Sequence, residues 1–144
     1  MTDLVDRDLI VSKADAIKKH VDRAVKKSQV DITGFINDRD RQDIVLFNLQ
    51  MAVQNCIDIA AHIISDEGFG VPGSNNEMFY LLEENGYIGP PVVEKMIAAV
   101  GFRNLVVHEY GKLDLEEVYR ISRNDIMDLL IYISAIFKKA GIQP

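Results

Sequence analysis

Arg103 and His108, with four residues between them, and Tyr110, two positions further on, are the side chains whose types and spacing could do chemistry. A histidine titrates at about pH 6.5, so near neutrality it can take a proton from one oxygen and return it to another. A guanidinium grips phosphate oxygens through a planar fork that lysine cannot reproduce. Together they suit cleavage of RNA by its own 2′-hydroxyl. That reaction needs a base for the hydroxyl proton, an acid for the departing 5′-oxygen and a fixed cation for the phosphate charge, but no metal. Arg103 and His108 are therefore the catalytic candidates, with the polar Asn104 in support. The same residues also read as an ordinary helix end in which Arg103 pairs with a carboxylate such as Glu109 or Asp114.

The spacing poses a geometrical problem. At about 100° per residue, two positions five apart on a straight helix diverge by roughly 140°. Arg103 and Tyr110, seven apart, return to nearly one face, while Asn104 and His108, four apart, are neighbours on another. One site can collect all four only at an edge, through a distortion before Gly111, or from two subunits. Two copies meeting across a two-fold axis, each contributing a His and an Arg, make an isologous homodimer the expected assembly.

Apolar periodicity supplies the elements that must hold these residues. Leu9, Ile10, Ala14, Ile17, Val21 and Val25 recur at three- and four-residue steps and predict a helix from about Thr2 to Ser28. Asp31 to Asp38 reads as a connection, with Asn37 or Asp38 capping a second helix over Arg39 to Ser65. That second helix is apolar around most of its circumference, as a helix buried on several sides must be. Its polar residues Asn48, Asn55, Asp58 and His62 fall on one stripe once Met51 is counted, so they form either a narrow wet strip or a polar wall facing a cleft or partner. Asp58 and His62 are the supporting candidates from that stripe.

Asp66 to Gly73 holds three glycines and a proline and marks a loop, but lacks the strand and the Gly-Lys-Ser/Thr context of a phosphate-binding loop. Ser74-Asn75-Asn76-Glu77 is a capping box for a short helix to about Glu84, stopped near Gly86. Pro90-Pro91 suits a first helical turn, and the fourth helix is expected to run through the Arg/His stretch to Gly111. Asp114-Leu115-Glu116-Glu117 opens the last helix, whose stripe comprises Val118, Ile121, Ile126, Leu129, Leu130, Ile133, Ile136 and Phe137. With no strand pattern and no repeat, the expectation is an all-α, up-and-down four-helix bundle with one additional short helix, a single domain over residues 1–144.

Composition narrows the setting. The lone Cys56 sits in an apolar run and reads as a reduced core thiol, in keeping with a cytoplasmic protein. The start MTDLVDRDLI is acidic and no run of eighteen apolar residues occurs, so neither secretion nor a membrane span is expected. A net charge of −6 argues against coating nucleic acid non-specifically. Residues 11–29, however, carry six cations against Asp15 and Asp22, either as the wet face of the first helix or as a strip guiding phosphate. His20 among those lysines reads as solvated. Glu-x-x-His pairs are absent and Asp58/His62 has no mate, so no metal or cofactor is expected.

The segment Arg103-Asn104-Leu105-Val106-Val107-His108-Glu109-Tyr110 resembles the signature of the HEPN superfamily: an arginine, four to six residues and a histidine on a bundle helix, commonly with a polar residue after the arginine. Tyr110 and the text Cys56-Ile57-Asp58-Ile59-Ala60-Ala61-His62-Ile63-Ile64 are similar to its HepT-like branch, and the likeness covers nearly the whole chain. The resemblance implies a homodimeric, metal-independent ribonuclease toxin whose composite site uses Arg103 and His108 from both subunits. It also implies a minimal nucleotidyltransferase antitoxin that adenylylates Tyr110, placing a negative, bulky phosphodiester where RNA phosphate would lie. The alternative is a non-catalytic helical partner of a nucleotidyltransferase, in which His108 would be dispensable.

Overall fold

The computed structural model describes residues 5–143, and these residues form helices with no strand among them. Helix α1 (Arg7–Lys27) starts where the Asp6 carboxylate accepts from the Leu9 N–H, and it buries Ile10, Ala14, Ile17, Val21 and Ala24 on one face. The expected start near Thr2 lies outside the described residues; among those described, the Asp6 cap sets the boundary.

The connection holds a helix of its own. Helix α2 (Ile32–Ile36) is a short turn that Asp31 caps through the Gly34 N–H at 2.7 Å, anchored by the fully buried Phe35. Its five residues are too few for an apolar period, which is why the stretch read as a connection.

Helix α3 (Arg39–Glu67) is the axis of the molecule, capped by Asp38 and ended by Gly68 in the left-handed conformation at φ 69°. It packs against α1 along its length and also meets α4 (Asn75–Glu84), α5 (Pro90–His108) and α7 (Met127–Ala140). That explains its lack of one apolar face. Although α3 is long and apolar enough to cross a membrane, 61% of its most apolar window is buried inside the bundle. Ser74 caps α4 by accepting from the Glu77 N–H, and the Glu77 carboxylate returns to the Gly73 N–H.

Two helix ends differ from expectation. Helix α5 stops at His108 rather than Gly111: Glu109 leaves the helical region at φ −138°, and Tyr110–Lys112 form a 3₁₀ turn. The last helix is divided into α6 (Leu115–Arg120) and α7 by a π turn over Ile121–Asp125, closed by the Ile126 N–H donating to the Ile121 carbonyl at 2.9 Å. The apolar stripe carries the cause, since Ile121 and Ile126 are five apart and one extra residue per turn keeps both inward. Taken as one member, α6–α7 joins α1, α3 and α5 as the four long elements of the bundle, with α4 as the accessory helix.

The core is continuous through all of them. Phe79 and Tyr132, both fully buried, meet edge to face at 5.8 Å, and the Tyr132 hydroxyl donates to the Cys56 carbonyl. Cys56 is itself 0% exposed, and burial pushes its thiol far above the ordinary range, as expected of a core thiol. Truncating Phe79 to alanine would empty the junction of α4 with the bundle, and a loss of about 3–5 kcal/mol is expected in urea denaturation.

Candidate active site

Helix α5 carries the candidate chemistry across one face of α3. Arg103 reaches α3 at Gln54, its Nη2 donating to Gln54 Oε1 at 2.7 Å, while its Nη1 donates to Asn104 Oδ1 at 3.1 Å. Tyr110 reaches α3 three turns earlier, its hydroxyl donating to Asp43 Oδ1 at 2.7 Å. Since the lower number on α3 meets the higher one in the Arg103–Tyr110 segment, the two run antiparallel. Asp43 and Gln54 are eleven apart, almost a whole number of helical turns, so one line down α3 receives both side chains.

Arg103 is set apart by the neutrality of its partners. Both acceptors are amide oxygens rather than carboxylates, so the guanidinium charge is hydrogen-bonded but not cancelled. Its Nε, shut off from solvent, has no hydrogen-bond partner among the described residues. Asn104 is therefore in direct contact with Arg103.

His108 is the last residue of α5 and is exposed. The helix stays regular up to it, and the break comes afterwards, at Glu109. The distortion that could have swung His108 toward Arg103 within one chain is therefore in the wrong place; it re-aims Tyr110 instead. Tyr110 does not share a face of α5 with Arg103, because it lies beyond that helix. It is 44% exposed, and the Asp43 hydrogen bond raises its pKa, with partial burial and the Asp43 charge adding to the effect and Arg39 opposing it. Arg39 Nε lies 3.7 Å from Asp43.

The polar stripe expected on α3 divides. Asn48 and Asn55 are buried and turn their amides back to the Ile44 and Met51 carbonyls, so they satisfy themselves instead of lining a cleft. His20 is half-buried rather than solvated: with Asn48 Nδ2 committed to a carbonyl, Asn48 Oδ1 must accept, and His20 Nδ1–H donates to it at 2.8 Å. His62 is exposed, and no hydrogen bond among the described residues joins it to Arg103. Asp58 is linked to Arg103 through Gln54. It accepts from Gln54 Nε2 at 3.0 Å and pairs with Lys13 Nζ at 3.1 Å, which also takes one cation of the basic segment out of any phosphate strip.

Gln54 and Asp43 are the residues that sequence reasoning missed. They stand on the α3 line that also carries Phe47, about 40° from Asp58 at 100° per residue. Nothing in local periodicity distinguishes them from ordinary polar gaps in an apolar helix.

Comparison with known proteins shows what the chain is similar to. A family model described as Ribonuclease HepT-like matches residues 15–136. The chain is 34% identical over 129 residues to the mRNA nuclease HepT of Shewanella oneidensis, covering 90% of this chain and 96% of that one. It is 25% identical over 128 residues to the tRNA nuclease HepT of Aphanizomenon flos-aquae, covering 89% and 87% respectively. Among solved structures it matches a tri-AMPylated Shewanella oneidensis HEPN toxin in complex with MNT antitoxin. That match has a TM-score of 0.85 and 33% identity, and it covers 92% of this chain and 99% of that one.

Proposed function

Because the chain belongs to the ribonuclease HepT-like family, we propose that it is a metal-independent endoribonuclease, the toxin of a toxin–antitoxin pair, silenced by adenylylation of Tyr110. The observation that carries the reading is the Arg103 guanidinium, held by two neutral amides with its charge uncompensated, five residues before an exposed histidine at a helix end.

In the reaction, the imidazole of one His108 takes the proton of a 2′-hydroxyl as its oxygen attacks the adjacent phosphorus. Arg103 offsets the charge that grows on the non-bridging oxygens, and an imidazolium protonates the 5′-oxygen as the P–O5′ bond breaks. The products are a 2′,3′-cyclic phosphate and a 5′-hydroxyl. A base and an acid on opposite sides of the phosphate require two imidazoles, and a homodimer supplies them. The helical regularity between Arg103 and His108 supports that assembly, as do the exposed apolar side chains Val107, one turn beyond Arg103, and Phe47, on the α3 line of Asp43 and Gln54.

Asn104 orients the arginine, while His62, exposed on α3, is the candidate for a further contact to RNA. The partner that silences the protein is a minimal nucleotidyltransferase, which transfers the adenylyl group to the exposed Tyr110 hydroxyl. The site of action is the cytoplasm.

The test follows the chemistry. Purified protein in excess EDTA is expected to cut labelled RNA and leave 2′,3′-cyclic phosphate ends, while the same oligonucleotide with 2′-O-methyl riboses stays intact. Cleavage of the methylated RNA, or activity lost to EDTA and restored by a divalent ion, would overturn the mechanism.

A further inference from the structure

Four side chains on three helices form one hydrogen-bonded chain that ends on Arg103. Lys13 of α1 pairs with Asp58 Oδ2 at 3.1 Å, Asp58 Oδ1 accepts from Gln54 Nε2 at 3.0 Å, and Gln54 Oε1 accepts from Arg103 Nη2 at 2.7 Å. The direction is forced. A carboxylate can only accept and a guanidinium can only donate, so the Gln54 amide has a single orientation that satisfies both.

Gln54 therefore performs two tasks. It turns a fixed carbonyl dipole toward Arg103, and it keeps the Asp58 charge one amide away from the guanidinium. A carboxylate in direct contact would bind Arg103 more tightly but would cancel the charge that a phosphate must find. Lys13 balances Asp58 from the other side, so the negative charge is satisfied by α1 and not by the site. We propose that Gln54, Asp58 and Lys13 are positioning residues for Arg103, holding the guanidinium in place while leaving its charge available to RNA phosphate. The proposal rests on the ribonuclease reading above and adds to it the device that keeps the arginine active.

Two substitutions at one position separate this role from simple packing. Gln54→Glu preserves shape but sets a carboxylate against Arg103, and Gln54→Met preserves bulk but removes both hydrogen bonds. With thermal melting confirming a folded protein, Gln54→Glu is expected to lower kcat on RNA at least tenfold. It should also flatten the salt dependence of binding to a 2′-O-methyl oligonucleotide by about one charge equivalent. Gln54→Met should lower kcat several-fold with KM nearly unchanged, as when a group that acts in the transition state loses its alignment.

A packing role predicts wild-type kcat and salt dependence in both variants, and that result overturns the proposal. If wild-type protein cuts RNA no faster than Arg103→Ala, the ribonuclease reading fails separately. The positioning claim is then decided by ¹⁵N NMR of the Arg103 guanidinium. Hindered Nη rotation in the wild type that becomes fast in Gln54→Met supports it, and identical rotation in both refutes it.

Discussion

Replacing either Arg103 or His108 with alanine is expected to lower the rate of RNA cleavage by about 10²-fold or more. A positioned general acid–base group contributes roughly 10²–10⁴, and one preorganised charge donor about 10²–10³. Single-turnover cleavage of a labelled oligonucleotide reads the loss directly, without interference from product release. Neither truncation should unfold the protein, because His108 is exposed at a helix end and Arg103 only half-buried. Equal rates in wild type and both variants would leave the other reading, a helical partner that binds a nucleotidyltransferase without catalysis. Mixing wild-type protein with His108→Ala addresses the assembly. A site that needs both imidazoles of a dimer is broken by one variant protomer, so after subunit exchange activity should fall as the square of the wild-type fraction. A fall in simple proportion to that fraction would mean that each chain carries a complete site.

The second large effect is expected at the switch. Tyr110→Phe removes one oxygen, the nucleophile of adenylyl transfer, and with it the hydrogen bond to Asp43. Incubated with ATP and the cognate nucleotidyltransferase, wild-type protein should take up adenylate and lose its ribonuclease activity. The phenylalanine variant should take up none and stay active. The raised pKa of Tyr110 keeps the phenol protonated at neutral pH, so transfer must remove that proton as the oxygen attacks the α-phosphorus and pyrophosphate leaves. Labelled adenylate on the phenylalanine variant, measured by scintillation after gel separation, would exclude Tyr110 as the sole acceptor. Unmodified Tyr110 in the wild type would exclude the switch altogether.

Much of the architecture was legible because its signals are local. The α1 stripe, the Asp38 and Ser74 caps and the left-handed Gly68 each follow from chemistry within about one helical turn. The π turn was partly written in the five-residue step from Ile121 to Ile126, yet a stripe with one irregular interval still reads as a single helix. The end of α5 was not legible. Leu105, Val106 and Val107 favour continuation to Gly111, and only the tertiary bond from Tyr110 to Asp43 shows where the chain goes after Glu109.

The candidate site divides along the same line. Arg103, Asn104, His108 and Tyr110 share a short segment, and their spacing identified them. Asp58 was found through its stripe, but its connection to Arg103 passes through Gln54, which lies one turn away on a neighbouring line of α3. Asn55 and Asn48 sat on the same stripe and proved to bond their own backbone, because a buried amide on a helix interior can always return to the carbonyl four residues back. Periodicity shows which way a side chain faces; it does not identify the partner waiting there.

The break at Glu109 makes the region a long lever with a short, separate tip. Arg103 and His108 ride on nineteen residues of continuous helix braced against α3, whereas Tyr110 sits on a three-residue turn tethered to the bundle by its own hydroxyl. An enzyme working on that hydroxyl must break the tether, yet it can pull the tip outward without unwinding a single turn of the lever. In the proposed switch, chemistry and control are then carried by separate pieces: a modifying protein engages the turn while the spacing of Arg103 and His108 stays fixed by the helix. A tyrosine carried on the helix itself would forfeit that separation.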